Sequence, residues 1–265
     1  MMSETNIDIR IGTSGYDYPE WAGVLYPSEI KRSNYLEYYS KVFTTLELNF
    51  SYYGMPKEIT LLNMINRAQS SMDFSIKAHQ SLTHNIDQLK LKDYAKEYRE
   101  GIHPLIRFNR LAAILFEFPF SFYYQPENRK YLDKLLQEFT EYPIVIEFRN
   151  KDWYNQRVLD ELMRRKICLC LMDMPENAMP TDILPTITSD LIYIRFHGRN
   201  AINWWNGNNV SRYDYLYNKD EMRDWSIKII DMEEKVKTIR IYFNNHARGN
   251  AVQNARMLNK LINIE

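Results

Sequence analysis

Short apolar runs alternate along the chain with longer segments in which apolar residues recur at helical spacing. Eight short runs predict strands near residues 8–13, 43–50, 72–78, 111–118, 143–148, 167–172, 190–196 and 239–244. The longer segments predict helices near residues 33–42, 57–70, 88–101, 127–141, 155–166, 220–235 and 248–262. A strand followed by a helix, repeated through the chain, implies parallel strands joined by helical crossovers. The pattern therefore predicts an α/β fold, an eight-stranded parallel β/α barrel of the TIM type.

Two connections depart from this alternation. Residues 174–189 carry three prolines and no helical period, so we expect an irregular connection between strands 6 and 7. Residues 198–219 form a long, aromatic and polar connection, and long loops in compact domains are often functional. An open doubly wound sheet would usually have a glycine-rich turn after its first strand. Residues 12–21, GTSGYDYPEW, have too few glycines at the wrong spacing, which favours the closed barrel.

Successive side chains of a strand point to opposite faces, and here one face is apolar while the other turns polar toward the strand end. The polar face comprises Ser14, Glu47, Asn49, Lys77, His79, Glu117, Glu147, Arg149, Asp173, Arg195, His197 and Asn244. Because the apolar face of a barrel packs under its helices, we expect the polar face to line the lumen at the carboxyl ends of the strands. Buried charges cost several kcal/mol each unless they are paired. The set therefore indicates either a chemical site or a closed ion network.

Length and composition fit this architecture. A chain of 265 residues suits one β/α barrel, so we expect a single domain over residues 1–265. Lys plus Arg equals Asp plus Glu, 34 against 34, which argues against bulk attraction to nucleic acid or membranes. No transmembrane stretch or signal peptide is readable. Cys168 and Cys170, two apart in an apolar run, are interpreted as reduced packing residues, and together these features predict a cytoplasmic protein without a membrane partner.

Motifs along the whole chain carry a family resemblance. They are GTSGYDYPEWAGVLYP (12–27), TLELNFSYYGMP (45–56), FSIKAHQSLTH (74–84), EFRNKDW (147–153), YIRFHG (193–198), RYDYLY (212–217) and IYFNNHARGNAVQNA (241–255). In this order and spacing the chain resembles the domain-of-unknown-function seventy-two family, also called the YecE-like family. The resemblance implies a barrel related to the xylose-isomerase and endonuclease IV group, and it implies no particular reaction. Glu117 stands where the family pattern has glutamine, and His246 where it has a small or acidic residue, so substrate preference is expected to differ.

Four residues are candidates for proton transfer. Glu147 and Arg149 lie two apart on one strand, so both enter the lumen, and Glu147 is a candidate general acid or base. His197 ends the seventh strand, and imidazole exchanges protons near neutral pH. Asp173 or Glu47 would orient these two groups. The alternative for each residue is a structural role in which it pairs with other lumen charges.

Cationic and aromatic residues at the same end predict binding of an anion. Arginine and lysine side chains can hold a phosphate or a carboxylate. Arg248 stands at the start of the last predicted helix, where free backbone N–H groups favour anions. Aromatic residues of the first loop and of residues 204–217 would stack on a base or a sugar, or pack on the barrel rim. The predicted binding residues are Lys77, Arg149, Arg195, Asn244, Asn245, Arg248, Tyr16, Trp153 and Tyr217.

Three functions are compatible with these residues. The favoured hypothesis is an enzyme that acts on a phosphorylated or otherwise anionic small substrate by acid–base chemistry, as a hydrolase or an isomerase. The second is a metal-dependent nuclease or DNA-repair enzyme, by analogy of fold with endonuclease IV. Cations among the candidate divalent-metal ligands and the zero net charge weigh against it, so no cofactor is assigned and nucleic acid is not the favoured partner. The third is a non-catalytic ligand-binding or assembly protein, and the pattern predicts no oligomeric state.

Overall fold

Apolar strands and amphipathic helices alternate in the computed structural model, which describes residues 7–178, 186–208 and 210–262. The strands of this part of the chain are β1 (Asp8–Ser14), β2 (Thr45–Leu48), β3 (Asp73–Lys77), β4 (Leu111–Phe118), β5 (Ile144–Phe148), β6 (Cys168–Leu169), β7 (Leu171–Asp173), β8 (Leu191–Phe196) and β9 (Thr238–Phe243). Its α-helices are α1 (Tyr35–Val42), α2 (Phe50–Tyr53), α3 (Glu58–Arg67), α4 (Leu91–Arg107), α5 (Pro126–Gln137), α6 (Gln156–Arg165), α7 (Lys219–Glu233) and α8 (Asn250–Ile262).

All strands belong to one parallel sheet in the order β6-β5-β4-β3-β2-β1-β9-β8-β7. Its two edges, β6 and β7, are consecutive in the chain and are separated by Cys170 alone. The Cys170 N–H donates to the Ile146 carbonyl oxygen at 2.8 Å, so the chain itself joins the two edges. The predicted parallel α/β barrel is confirmed as a nearly closed sheet. The predicted count of eight strands is wrong, because the described sheet has nine.

The extra strand arises because the predicted sixth strand, 167–172, is divided in two. The Thr188 hydroxyl donates to the Ile167 carbonyl oxygen at 2.7 Å and accepts from the Leu169 N–H at 2.8 Å. The Thr188 side chain therefore forms hydrogen bonds with two backbone groups, the Ile167 carbonyl and the Leu169 N–H, that would otherwise pair with a neighbouring strand. Regular pairing with β8 begins only at Leu171. The predicted irregular connection at 174–189 contains a 3₁₀ turn, Glu176–Ala178, while its residues 179–185 lie outside the described residues.

The helices cover the outside of the sheet with their apolar faces. In α6, Val158, Leu159 and Leu162 are buried, as the spacing of one helix face requires. α7 begins with a capping box, in which the side chain of Asn218 accepts from backbone N–H groups and the side chain of Glu221 accepts from the Asn218 N–H. None of the helices in the described ranges is long and apolar enough to span a membrane.

The larger apolar core lies between the sheet and the helices, and a smaller apolar cluster fills the middle of the lumen. Its buried members include Ala113, Leu115, Val145, Cys168, Cys170, Met172, Tyr193 and Tyr242. Both cysteines are free and buried there. The amino end of the lumen is closed by Arg240, whose Nη2 lies 2.6 Å from Asp8 Oδ2 and 2.7 Å from Asp73 Oδ2. Among the described residues, the polar groups of the lumen are therefore open to a ligand at its carboxyl end.

Candidate functional site

The carboxyl ends of the strands bring eight polar side chains to one end of the lumen, and we call this set the mouth network. It comprises Glu47, Lys77, Glu117, Glu147, Arg149, Arg195, His197 and Asn244. Side chains alternate along each strand, and parallel strands end at the same edge of the barrel. The residues that the sequence placed on the polar face of β2, β3, β4, β5, β8 and β9 therefore meet in space.

Arg195 is the centre of the mouth network, with a side chain that is only 2% exposed. Its Nη1 lies 2.9 Å from Glu117 Oε2 and 2.8 Å from Glu147 Oε2. Its Nη2 lies 2.9 Å from Glu47 Oε1. Burial opposes the charge of Arg195, but the three carboxylates outweigh burial and raise its pKa. Arg195, on β8, thus binds carboxylates at the ends of three other strands, β2, β4 and β5.

The outer layer of the network meets solvent. Lys77 Nζ lies 3.0 Å from Glu117 Oε2, and the two side chains are each 14% exposed. Arg149, which is 17% exposed, places its Nη2 2.5 Å from Glu147 Oε1 and 3.6 Å from Glu117 Oε2. The ammonium group of Lys77 also lies 4.3 Å from the centre of the Tyr52 ring, a cation–π contact. A ligand entering the mouth would therefore meet Lys77, Glu117 and Arg149 first.

The network contains equal numbers of carboxylates and permanent cations, three of each. Burial alone would raise the pKa of Glu147, but Arg149 and Arg195 outweigh burial and lower it. The pKa of Glu117 is likewise lowered, since Lys77 and both arginines outweigh its burial. These carboxylates are therefore ionised at neutral pH. They are weak proton acceptors for as long as the cations stay on them.

Glu47 is an anchor rather than an exposed acid. Its Oε2 accepts from the Tyr193 hydroxyl at 2.7 Å, and its Oε1 accepts from the Ser14 hydroxyl as well as from Arg195. The Asn49 amide donates in turn to the Ser14 hydroxyl at 2.6 Å. With its oxygens occupied and its side chain fully buried, Glu47 fixes Arg195. Within the described part of the chain, Glu47 forms no hydrogen bond or ion pair with His197, which the sequence expected it to orient.

His197 is fully buried beside the arginine layer. Its Nε2 lies 3.2 Å from Arg149 Nη2 and 3.3 Å from Glu147 Oε1, and its Nδ1 lies 3.0 Å from Asn244 Nδ2. Burial, reinforced by the charge of Arg149, lowers the pKa of His197 to about 4. The imidazole is therefore neutral at physiological pH. It can orient Arg149 without adding charge to the network.

Replacing His197 with glutamine should flatten the pH dependence of stability between pH 6.5 and about 4. An unfolded chain protonates this histidine near its ordinary pKa of 6.5, whereas the native protein resists protonation down to about 4. The stability is therefore present above that ordinary pKa and is lost as the pH falls through the window. The loss amounts to about 3 kcal/mol at most. Chemical denaturation at several pH values measures it.

The matched control for this experiment is His103→Gln, on the exposed side of α4. The control should keep the wild-type slope. A wild-type slope in His197→Gln as well would contradict the burial of a neutral imidazole at this position.

Asp173, which the sequence expected to orient Glu147 and His197, does not face the lumen and forms its hydrogen bonds with Arg199, Tyr217 and Trp225. Its Oδ1 and Oδ2 bind Arg199 Nε and Nη2 at 2.8 and 2.6 Å. The Tyr217 hydroxyl donates to Oδ1 and the Trp225 indole N–H donates to Oδ2, each at 2.7 Å. On β7 the side chain of Met172 belongs to the lumen cluster, so the next residue must point toward the helices. Asp173 therefore ties β7 to α7.

Two more predicted binding residues organise the loop after β8. Tyr217 is fully buried, and besides Asp173 its hydroxyl contacts the Gly198 N–H, which donates to it at 2.9 Å. Asn245 donates its amide to the Tyr215 carbonyl oxygen at 2.8 Å and to Asn254 Oδ1 at 2.9 Å. These bonds fix the loop against α8. Neither residue contacts the mouth network in the described part of the chain.

The remaining three predicted binding residues also lie away from the lumen charges. Trp153 stacks on Phe148 with ring centres 4.6 Å apart, on the helix side of β5. Arg248 is 80% exposed, lies just before α8 and places its Nη2 3.0 Å from Asp214 Oδ2. Tyr16 is half-buried in the loop after β1. The structure therefore does not bring the predicted helix-start anion site together with Arg149 and Arg195.

Sequence reasoning overlooked two members of the site. Tyr193, which binds Glu47, stands two residues before Arg195 on the same strand face, so strand alternation could have identified it. Tyr52, under the ammonium group of Lys77, lies in α2, a single helical turn within a region where the pattern gave no helix. Only the packing of that turn against β3 reveals it.

The arrangement of the carboxylates and histidines also bears on whether a metal ion could bind. Across residues 7–178, 186–208 and 210–262 no group of three or more His, Cys, Asp or Glu side chains is arranged to hold a metal ion. The carboxylates at the mouth are bound by arginine and lysine instead. This donor set does not fit a divalent cation, and a metal-dependent nuclease would need one.

Comparison with known proteins gives a consistent family match. The family model described as "Protein of unknown function DUF72" matches residues 10–265. The UPF0759 protein YunF of Bacillus subtilis is 27% identical over 274 residues, covering 97% of this chain and 95% of that protein. A crystal structure of a DUF72 family protein from Thermotoga maritima is 32% identical, with a TM-score of 0.87 over 97% of this chain and 99% of that one.

A more distant match concerns the fold alone. D-psicose 3-epimerase from Clostridium cellulolyticum has 10% identity and a TM-score of 0.50, covering 96% of this chain and 97% of that one. This likeness agrees with the TIM-barrel-like sheet described above. At such low identity it carries no information about substrate or reaction.

Proposed function

This chain belongs to the DUF72 family, and we propose that it is an enzyme that binds a small anionic substrate at the carboxyl end of its barrel and exchanges a proton with it. One observation carries the proposal. Lys77 and Arg149, the two cations of the mouth network that meet solvent, share the carboxylate of Glu117 at 3.0 and 3.6 Å. The network as a whole is neutral, since Glu147 also pairs with Arg149, but these two cations stand at its solvent edge, where an incoming anion can contact them.

Binding of the anion rests on donors at this edge. Lys77 carries three N–H donors, of which one ion pair with Glu117 engages only part. Arg149 is 17% exposed, although its Nε is buried and has no hydrogen-bond partner among the described residues. A substrate phosphate or carboxylate would take up donors that Glu117 now shares, and the guanidinium fork suits such planar or tetrahedral anions.

Proton exchange would follow when the substrate anion takes the donors of Lys77 and Arg149 away from Glu117. The pKa of Glu117 is held down by the cations around it, despite its burial. When a substrate anion neutralises Lys77 and Arg149, the pKa of Glu117 rises, and the carboxylate becomes a competent acceptor. In an isomerisation, a proton would pass from a C–H or O–H group of the substrate to Glu117 and return to the substrate later in the cycle. In the hydrolysis of an ester, Glu117 would instead take a proton from the attacking water and return it to the oxygen of the leaving group.

The buried members of the network have positioning roles in this proposal. Glu147 and His197 contact Arg149 and hold its guanidinium at the mouth. Arg195, fixed by Glu47, holds Glu117 from behind. Glu117 is also one of the two positions that depart from the family pattern, so the proton acceptor itself would distinguish this chain from relatives with glutamine there.

Inorganic sulfate is the probe that tests the binding step. Sulfate should stabilise the wild-type protein against thermal unfolding in a concentration-dependent way. Lys77→Gln and Arg149→Gln should each weaken sulfate binding about tenfold, the effect of losing a hydrogen bond to a charged group. Lys41→Gln, an exposed lysine paired with Glu37 on α1, is the matched control and should leave sulfate binding unchanged. Equal sulfate affinity in all four proteins would refute binding at the mouth.

A further inference from the structure

A cavity lies on the outer wall of the barrel, in the groove between α5 and α6. Its volume is about 500 Å³, within the range of small-molecule sites. The lining runs along α5 from Pro126 to Leu136, a helix length of about 15 Å. The floor is apolar and includes the buried side chains of Leu132, Trp153 and Leu162. The groove is therefore elongated and apolar at its base.

The rim of this groove carries an excess of positive charge. Four cations line it, against the two carboxylates of Asp133 and Glu161. Arg165 pairs with both of these carboxylates, so it already engages the acidic side of the rim. The other three cations, Arg129, Lys130 and Arg157, form no ion pair within the described residues. The Nε of Arg129 is buried and has no hydrogen-bond partner there.

We propose that the groove between α5 and α6 is a binding site for a small amphipathic anion, a linear acyl chain that carries a carboxylate. The apolar floor provides burial for the chain, and the length of the groove favours an extended molecule over a compact ring. The unpaired cations on the rim select a negative head group and disfavour a cationic one. The site is separate from the mouth network and does not rest on the function proposed above.

Trp153 gives this site its own spectroscopic signal. The indole forms part of the floor and stacks on Phe122 and Phe148, with ring centres 5.1 and 4.6 Å away. A chain lying on that floor changes the surroundings of the indole and therefore its fluorescence. Trp153→Phe should remove the change while the other four tryptophans remain.

Octanoate is the probe, measured by calorimetry and by tryptophan fluorescence. The wild-type protein should bind octanoate saturably and bind octan-1-ol, which has the same chain length without the charge, about fivefold more weakly. The double variant Lys130→Gln/Arg157→Gln should lose about fivefold in octanoate affinity and nothing in octanol affinity. Both residues are exposed, so the fold should tolerate these changes. Lys134→Gln, exposed on the same helix but outside the lining, should bind octanoate as the wild type does.

Four outcomes would overturn the proposal. The first is the absence of saturable octanoate binding. The second is equal affinity for octanoate and octanol, and the third is an unchanged octanoate affinity in the double variant. The fourth is octanoate binding that disappears in Lys77→Gln, which would place the anion at the barrel mouth instead. A failure of sulfate binding at the mouth would leave the groove result unaffected.

Discussion

Replacing Arg195 with methionine should lower the free energy of unfolding by about 3–5 kcal/mol, the effect of removing one partner from a buried ion pair. Methionine fills a similar volume but leaves three carboxylates, Glu47, Glu117 and Glu147, without their shared cation. Two of these side chains are fully buried. Equilibrium denaturation by urea measures the change, and a shift in melting temperature of about 10 °C should accompany it.

The pH dependence identifies the cause of this loss. In the wild type the pKa values of Glu117 and Glu147 are lowered, so their stabilising effect is present above the ordinary pKa of 4.5 and is lost as the pH falls. In Arg195→Met the carboxylates repel each other, and protonation relieves them. The stability gap between the two proteins should therefore narrow at acid pH. Arg164→Met, in an exposed pair on α6, should change stability little at any pH.

Replacing Asp173 with alanine should also destabilise the fold, by about 2–4 kcal/mol, chiefly because two buried donors lose their acceptor; Arg199 also loses a partner, but it is 38% exposed and keeps Glu221. The Tyr217 hydroxyl and the Trp225 indole N–H lose their acceptor in the same step. Urea denaturation again gives the magnitude. Asp224→Ala, an exposed position beside Trp225 on α7, should stay within about 0.5 kcal/mol of the wild type.

Asp173→Ala distinguishes a structural role of Asp173 from the catalytic role that the sequence indicated for it. Because Asp173 points toward α7, folded Asp173→Ala should bind sulfate within about twofold of the wild type. A variant that keeps its stability but loses sulfate binding would show that Asp173 acts at the mouth after all.

The alternation of strands and helices was sufficient to predict the barrel. Each strand and each helix buries one face in the core, so its apolar residues recur with a period that can be recognised in the sequence. The division of the sixth strand could not be predicted in this way. It depends on the Thr188 hydroxyl binding backbone groups of residues some twenty positions earlier, and no local pattern encodes that contact.

The composition of the mouth network was predictable from strand alternation, but its pairing was not. Period two placed Glu147, Arg149 and Arg195 on the lumen face. Which carboxylate binds which cation depends on the stagger between neighbouring strands, which the sequence does not specify. Asp173 was misplaced for a related reason. Cys170 and Met172 face the lumen, so Asp173, the next residue along the strand, points to the opposite side. The predicted strand ended at residue 172, so the alternation of side chains was not extended to Asp173.

Loop residues were the least predictable. Arg248 was expected at a helix start, yet its backbone adopts a left-handed conformation with φ of 55°, and its side chain is directed to solvent. Trp153 was expected at the mouth but packs under the helices. In both cases the direction of the side chain is decided by the local backbone after the strand has ended, where alternation no longer applies.

Calorimetric titration of the wild-type protein with sulfate, repeated in buffers of different ionisation enthalpy, measures whether anion binding at the mouth lets Glu117 take up a proton. Sulfate does not titrate near neutral pH, so any proton taken up on binding belongs to the protein. If the anion displaces Lys77 and Arg149 from Glu117, proton uptake should accompany binding and should increase as the pH is lowered from about 7 to 5. Sulfate that binds without proton uptake at any pH in this range, or that does not bind at all, would contradict the account.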